Sequence, residues 1–207
     1  MAAFFTLTLD TTAPSNGSIG IISLTNTRTI TATLSATDAT QMYLSGDIDG
    51  GGSWETYVAS KSITLTSGDG VKTVKVKFRD AVGNETEEFT ATTTLDTTGA
   101  VVTVSGVDKN VISKVDGYNV ASFSFSADTE ITAWEVRVVP ATGSVHTAGT
   151  VIGTTNGSEN TSGNTTKAAN TAVTVSINGA DLEAASAGDG AKIIKVFVKD
   201  AAGNWSA

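Results

Sequence analysis

Hydrophobic and polar residues alternate with a period of two along most of the chain. Period two places successive side chains on opposite faces of a strand, so that one face is buried and the other is solvated. The alternation recurs in matching stretches of the first and second halves, at Ile30, Ala32, Leu34, Met42, Leu44, Ile63, Leu65, Val74, Val76 and Phe78, and at Ala121, Phe123, Phe125, Trp134, Val136, Val138, Val173, Val175, Ile177, Ile194, Val196 and Val198. No segment keeps helical spacing over three turns. The pattern therefore predicts an all-β chain of short antiparallel strands with almost no helix.

An internal repeat divides the chain into two related parts. The pentapeptide TLDTT occurs at residues 8–12 and again 86 residues later, and the segment 68–86 recurs 120 residues later, as GDGVKTVKVKFRDAVGNET against GDGAKIIKVFVKDAAGNWS. Such self-similarity is typical of tandem domains. We predict an N-terminal arm at residues 1–9, a first domain at 10–96 and a second at 97–207. The second domain carries the surplus residues mainly at 140–170, where the lack of periodicity predicts one long surface loop.

The two repeat offsets do not agree at the ends of the chain. The offset of 120 pairs Ala207 with Glu87, so the second domain has no counterpart of residues 88–95 and is predicted to have an incomplete last strand. The offset of 86 pairs the arm with that same strand and places Phe5, Leu7 and Leu9 on its core face. Head-to-tail donation of the arm to another copy is one hypothesis. The alternatives are an open sheet edge, or an arm that docks on a capsid or another partner.

Composition narrows the possible partners and chemistry. The 207 residues are 40% hydrophobic and 16% charged, which is typical of a folded protein, and they include no Cys. A formal net charge of −8 argues against binding to nucleic acid or acidic membranes. No apolar run reaches the ~18 residues of a membrane span. Residues 1–10 contain no Lys or Arg, unlike the start of a secretory signal.

Several motifs together resemble one kind of domain. They are LDTTAP at residues 9–14, GDI at 46–48, Trp54, and the turn-rich segment 68–84 that ends in DAVGN. This combination resembles tandem bacterial and phage immunoglobulin-like (Big-type) domains of tailed-phage structural proteins and bacterial surface adhesins. The resemblance covers nearly the whole chain except 140–170. It implies two immunoglobulin-like antiparallel β-sandwiches and a non-enzymatic structural or adhesive role.

Catalytic and metal chemistry has little support in the sequence. The single His, His146, falls in the irregular stretch 140–170 and is interpreted as a solvated loop residue, so we expect no enzyme. We expect no cofactor, with one alternative. Asp96 in the linker and Asp80 in the DAVGN turn are candidate calcium ligands at the domain junction, as the resemblance to calcium-stiffened adhesin repeats implies. Capping of the local turn is the competing role for Asp80.

Aromatic and apolar side chains supply the candidate contact residues. Trp54, Tyr57 and Tyr43 offer stacking faces for a glycan, or cover a sandwich edge. Trp134 shares its parity with Val136 and is expected in the core. Ile193 and Phe197 fall on the outward parity of their strand, where either the 140–170 segment or a partner is expected to cover them.

The sequence therefore favours a structural or adhesive protein of a tailed-phage virion. It would decorate the capsid or serve the tail, reach the outside by lysis, and bind phage capsid or tail proteins or copies of itself. One alternative is a fragment of a secreted bacterial adhesin or surface-layer repeat protein, located outside the cell or at its surface. The other is a carbohydrate-binding module that takes a cell-surface glycan.

Overall fold

The computed structural model describes residues 4–143 and 145–207, and the regular secondary structure of these residues is almost entirely β-strand. The strands of the first half are β1 (Ser15–Gly20), β2 (Leu24–Thr25), β3 (Thr29–Thr37), β4 (Gln41–Gly46), β5 (Ile48–Asp49), β6 (Trp54–Thr56), β7 (Ser60–Leu65), β8 (Gly70–Arg79) and β9 (Phe89–Leu95). The elements of the second half are β10 (Val102–Ser105), β11 (Val120–Ala127), β12 (Ile131–Val139), β13 (Thr150–Val151), β14 (Ser162–Gly163), β15 (Val173–Asn178), helix α1 (Gly179–Ala185) and β16 (Ile193–Asp200). The all-β prediction is confirmed.

The chain divides into two compact units, Met1–Thr97 and Thr98–Ala207. In the first, called unit 1 below, one sheet has the order β1-β3-β7-β5 and the other has the order β2-β9-β8-β4-β6. The strand pairs are antiparallel except β2 with β9, which run parallel.

The core of unit 1 is built from the inward side chains that the alternation predicts. Val74, Val76 and Phe78 of β8 are fully buried, and Ala32 of β3 and Met42 of β4 join them. The intervening residues of β8 are only partly buried. Burying one face of each sheet stabilises the pair by about 25 cal/mol per Å² of apolar surface removed from water.

The second unit, called unit 2 below, has the same plan with fewer strands. One sheet has the order β10-β11-β15, and the other is centred on β12, which pairs with β16 on one side and with the short β13 and β14. Trp134 of β12 is 4% exposed in the core, as predicted, and its ring packs against Phe125. The Trp134 indole N–H donates to the carbonyl of Asn160, which satisfies its polar atom.

The segment 140–170 is not the single irregular loop that we predicted from its composition. Strands β13 and β14 within it pair with β12, and Ile152 is buried in the core at 1% exposure. Gly163 of β14 lies directly against the Trp134 ring, where a Cβ atom has no room. Only isolated residues of the segment point inward, so the segment shows no hydrophobic period although it contributes Ile152 to the core of unit 2.

Helix α1 follows directly from the end of β15. Asn178 caps it by accepting a hydrogen bond from the Ala180 N–H, and Asp181 places a carboxylate in the first turn, where the helix dipole favours negative charge. With seven residues, α1 is too short to cross a membrane, and no other helix in the described part of the chain is long and apolar enough to do so.

Candidate functional site

Strand β16 of unit 2 has one paired edge and one open edge. It pairs with β12 through eight residue pairs, from Ile131–Asp200 to Val139–Ile193. On the opposite edge, the described residues contribute only the bridge between Lys199 and Trp205 at the end of the strand. In unit 1 the equivalent strand, β8, lies between β4 and β9. The open edge of β16 therefore exposes backbone groups that an added strand would pair with.

An apolar groove runs beside this open edge. One part of the groove, of about 420 Å³, is lined by residues that include Ala100 and Val102. A second part, of about 190 Å³, is lined by residues that include Phe123 and Ile177. Val104, Ile194 and Val196 line both parts. We call this the β16 groove. Ile194 is half-buried, whereas its counterpart in unit 1, Val74, is fully buried. The β16 groove is thus a part of the core surface that no described side chain covers.

The N-terminal arm carries the opposite feature, because the apolar side chains of its described residues, 4–9, are exposed. Phe5, Leu7 and Leu9 are 86%, 83% and 85% exposed, and Phe4 is 96% exposed. Residues 4–9 belong to no strand. Residues 1–3 of the predicted arm lie outside the described residues. An exposed run of large apolar side chains is typical of a segment that binds a partner.

The aromatic candidates do not form one stacking platform. Tyr43 and Trp54 pack together, with ring centroids 5.5 Å apart, and the Arg79 guanidinium covers Trp54 at 4.3 Å from the ring centre. Tyr57 instead packs edge-on against the buried Phe78, and its hydroxyl donates to the Leu34 carbonyl. Tyr57 therefore belongs to the core edge of unit 1, while Tyr43 and Trp54 form a separate, partly covered pair.

Phe197 is not available to a partner, although its outward parity allowed that interpretation. It is fully buried, and His146 from the 140–170 segment packs edge-on against it, with ring centroids 5.8 Å apart. The candidate role of Phe197 as a partner contact is wrong because this segment covers it. Ile193, at 43% exposure, stays accessible beside the open edge.

His146 itself is held in place, which corrects its interpretation as a solvated loop residue. Its ring stacks on Trp205 at 3.5 Å between centroids, and its Nε2 lies 2.9 Å from Oε2 of Glu135. The same oxygen accepts hydrogen bonds from Arg137. The sequence could not show this arrangement because the participating side chains come from β12, the 140–170 segment and the end of the chain. The contacts of His146 attach the 140–170 segment to the sheet that contains β12.

The carboxylate of Asp80 accepts hydrogen bonds within the turn that follows β8. Oδ1 accepts hydrogen bonds from the backbone N–H groups of Val82, Gly83 and Asn84, and Oδ2 accepts from the Asn84 side chain. Burial raises the pKa of Asp80, but these hydrogen bonds outweigh it and hold the pKa below its ordinary value. Gly83 supplies the positive φ, at 96°.

The same turn closes β16 in unit 2. Asp200 accepts from the Gly203 and Asn204 N–H groups, so the two turns share one design. Asp96, the other candidate calcium ligand, is half-buried, and its N–H donates to the Thr25 carbonyl. Within the described ranges, the structure brings no three His, Asp or Glu residues together as a metal site. Calcium at Asp96 stays a prediction.

One buried carboxylate escaped the sequence analysis. Asp181 of α1 is 1% exposed; its Oδ1 accepts from the Asn156 N–H and side chain, and its Oδ2 accepts from the Ser158 N–H. Burial raises the pKa of Asp181, and the hydrogen bonds from Ser158 and Asn156 more than compensate, so the pKa lies below its ordinary value. The sequence signal was the helix start, with Asn178 as the cap three residues before Asp181.

Comparisons with known proteins yield a likeness to solved structures but no match to a family or to a curated protein. No protein-family model matches the chain, and no curated protein matches it. Among solved structures, the chain is similar to chitinase ChiA74 from Bacillus thuringiensis, with 14% sequence identity and a TM-score of 0.35. The match covers 92% of this chain, which spans 30% of the length of that chitinase.

Proposed function

We propose that this chain is a non-enzymatic structural or adhesive protein of a tailed-phage virion, a capsid decoration or tail accessory protein that acts by binding other proteins. The observation that carries the proposal is the pairing of two unsatisfied features in one chain, an open sheet edge with an apolar groove and an exposed apolar arm. Open edges and large exposed apolar segments are typical of surfaces that assemble.

Strand order supports an immunoglobulin-like assignment for unit 1. Its antiparallel sheet β1-β3-β7-β5 faces a sheet in which β9, β8 and β4 are neighbours, which corresponds to the two sheets of the immunoglobulin fold. The inward side chains of these two sheets form a single hydrophobic core.

Unit 2 supports the same assignment with one strand fewer. Its sheet β10-β11-β15 and its pair β12 and β16 match β1-β3-β7 and β4 and β8, and Trp134 on β12 lies where such domains place a core aromatic. The strand that would match β9 is the one whose place the β16 groove occupies.

The use of polar side chains also favours a structural role. Asp80, Asp200 and Asp181 each bind backbone N–H groups, and His146 is packed between aromatic rings. Such groups fix turns and segments in place, as expected of a module whose function depends on shape and surface.

Glycan binding has weaker support. Arg79 covers the Trp54 ring and Tyr57 lies at the core edge, which leaves Tyr43 with limited stacking surface for a sugar. A cell-surface glycan is therefore a second partner class only if the Tyr43 and Trp54 pair opens.

Co-purification with phage particles tests the proposal. Phage particles from a lysed bacterial culture that carries the gene for this chain are banded on a density gradient, and we expect the chain to band with the particles and to be detected there by mass spectrometry. An abundant soluble host protein serves as the control and should be depleted from the band. Detection only on the surface of uninfected cells would overturn the proposal in favour of the bacterial adhesin.

A further inference from the structure

We propose that the partner in the β16 groove is a second copy of this chain, whose residues 4–9 bind there as an added strand antiparallel to β16. This inference rests on the proposed structural role and specifies how copies would join. It defines a donor segment, an acceptor edge and the register between them.

The register follows from unit 1, where the equivalent strand is already in place. Strand β9 pairs antiparallel with β8, with Leu95 opposite Gly70, Thr93 opposite Lys72 and Ala91 opposite Val74. The repeat offsets convert these pairs into Leu9 opposite Gly190, Leu7 opposite Lys192 and Phe5 opposite Ile194. The acceptor residues are those at the open edge.

The direction of each side chain follows from the same comparison. In β9, Thr93 and Leu95 are buried and Ala91 is half-buried, whereas Thr90 and Thr92 are exposed. The donated strand would therefore point Phe5, Leu7 and Leu9 into the groove and Phe4, Thr6 and Thr8 outward. This parity makes neighbouring residues of the arm distinguishable by mutation.

Side-chain size fits the space available. Phe5 and Leu7 take the places of Ala91 and Thr93, so the arm is bulkier than β9 at two of its inward positions. The groove beside β16 offers about 420 Å³ in its larger part, and the half-buried Ile194 forms part of its wall. Larger inward side chains would fill it and bury Ile194 as Val74 is buried in unit 1.

A polar contact would fix the end of the strand. In unit 1 the Asp69 carboxylate accepts hydrogen bonds from the Thr97 N–H at 3.0 Å and from the Thr97 hydroxyl at 2.8 Å. The counterparts are Asp189 and Thr11, both exposed and without a hydrogen-bond partner among the described residues. In the assembled pair, Asp189 of one copy would accept both hydrogen bonds from Thr11 of the other.

The connection that follows each strand suits a second copy as the donor. Leu95 is followed by Asp-Thr-Thr and then by β10, and Leu9 is followed by the same Asp-Thr-Thr and then by β1. A donated arm would therefore be followed along its chain by unit 1 of the donor copy, just as β9 is followed along the chain by unit 2. The chain's own arm, by contrast, lies exposed along residues 4–9.

Two matched charge substitutions test the parity. Sedimentation velocity over a range of concentrations is expected to show self-association of the full chain, loss of association in Phe5→Glu, and association close to wild type in Phe4→Glu. Both residues are exposed and outside the core, so both variants are expected to fold. Equal loss in the two variants would indicate non-specific apolar contact, and a wild-type chain that stays monomeric throughout would overturn the proposal.

Cysteine cross-linking tests the register and the identity of the occupant. The chain has no Cys, so Thr6→Cys in one preparation and Ile193→Cys in another provide the only thiols when the two are mixed. These positions correspond to the pair Thr92 and Thr73 of unit 1, and paired strand residues lie within reach of a disulfide. We expect a mixed dimer under mild oxidation, formed faster than with the off-register control Thr8→Cys.

Intramolecular docking would give a different result. A double variant, Thr6→Cys with Ile193→Cys, that cross-links as a monomer while the two single variants fail to form a mixed dimer would overturn the second-copy proposal. Failure here leaves co-purification with particles unaffected, and failure of that co-purification leaves the cross-linking result unaffected. The inference and the proposed function can therefore fail separately.

Discussion

Asp181 illustrates how a buried charge is stabilised by the segment packed over it. Its carboxylate receives hydrogen bonds from Asn156 and Ser158, and both donors belong to the 140–170 segment. A buried carboxylate with such partners stabilises the fold, whereas loss of an acceptor leaves buried donors unsatisfied. The residue therefore joins α1 to a segment that the sequence alone placed at the surface.

Replacing Asp181 with Asn should destabilise unit 2. The amide N–H₂ would face the Ser158 N–H, so two donors would meet where a donor and an acceptor now pair, at a cost of about 1–3 kcal/mol. In calorimetry we expect the thermal midpoint of unit 2 to fall and the thermal midpoint of unit 1 to stay unchanged. Asp116→Asn is the matched control, because this exposed carboxylate accepts a hydrogen bond from the adjacent Gly117 N–H and from no other described residue. A midpoint equal to wild type in Asp181→Asn would contradict this role.

The pH dependence of this effect has a definite sign. The folded pKa of Asp181 lies below the ordinary value of 3.8, so its stabilising contribution is fully present above that value and is lost as the pH falls through the folded pKa. The difference in midpoint between wild type and Asp181→Asn should therefore be constant at neutral pH and shrink below about pH 4. A difference that persists unchanged in strong acid would assign the effect to packing instead.

A second prediction at the scale of single residues concerns the effect of Gly163→Ala on the stability of unit 2. Its Cα lies against the Trp134 ring, so Gly163→Ala would force a rigid aromatic residue of the core to shift. Overpacking of this kind costs about 1–3 kcal/mol. Chemical denaturation should show the loss in unit 2. Gly153→Ala, in the same segment with open space around it and no positive φ, should unfold like wild type.

At the scale of elements, the 140–170 segment is part of the core of unit 2. Ile152 follows β13 directly, and its burial predicts that Ile152→Ala lowers the stability of unit 2 by about 2–5 kcal/mol. Unit 1 should keep its own unfolding transition. Val111→Ala, at a side chain that is 83% exposed in the same unit, serves as the control. Equal stability of Ile152→Ala and wild type would restore the surface-loop interpretation.

Period-two alternation was sufficient to predict the long strands because each has several inward residues in a row. Val74, Val76 and Phe78 form such a series, and all three are buried. Strands β13 and β14 have two residues each, which is too short for any period to be visible. The contact between His146 and Trp205 joins distant parts of the chain, so no local pattern contained it.

The open edge of β16 was visible in the sequence for a different reason. It follows from comparing two repeats of unequal extent rather than from any property of β16 itself, whose own alternation resembles that of β8. The structure added the groove, the half-buried Ile194 and the exposed Asp189 carboxylate that an incoming strand would meet. The repeat offsets predict that β16 is the strand with the open edge, and the packing around β16 defines which residues an added strand would contact.

At the scale of the whole molecule, the proposed contact is heterologous because the donor and the acceptor are different surfaces. Such contacts either close into a ring or continue as a fibre, since each copy that donates an arm still offers its own groove. Negative charge on every copy, −8 per chain, opposes close packing and should make association stronger as salt screens the repulsion.

Association should also couple to the stability of one unit only. A strand that binds folded unit 2 and not the unfolded chain raises the thermal midpoint of unit 2 with increasing protein concentration. We expect calorimetry to show this rise in wild type and its absence in Phe5→Glu, with the transition of unit 1 independent of concentration in both. A rise in both transitions would point to general association instead.

The groove beside β16 has a practical consequence if it takes one extended segment of known sequence. A synthetic peptide that copies residues 4–12 would compete with the arm, cap each molecule and stop growth of the assembly. Fused to an unrelated cargo, the same nine residues would act as an attachment handle, and unit 2 would serve as its receptor. Unit 2 would then act as an adaptor that accepts one defined segment.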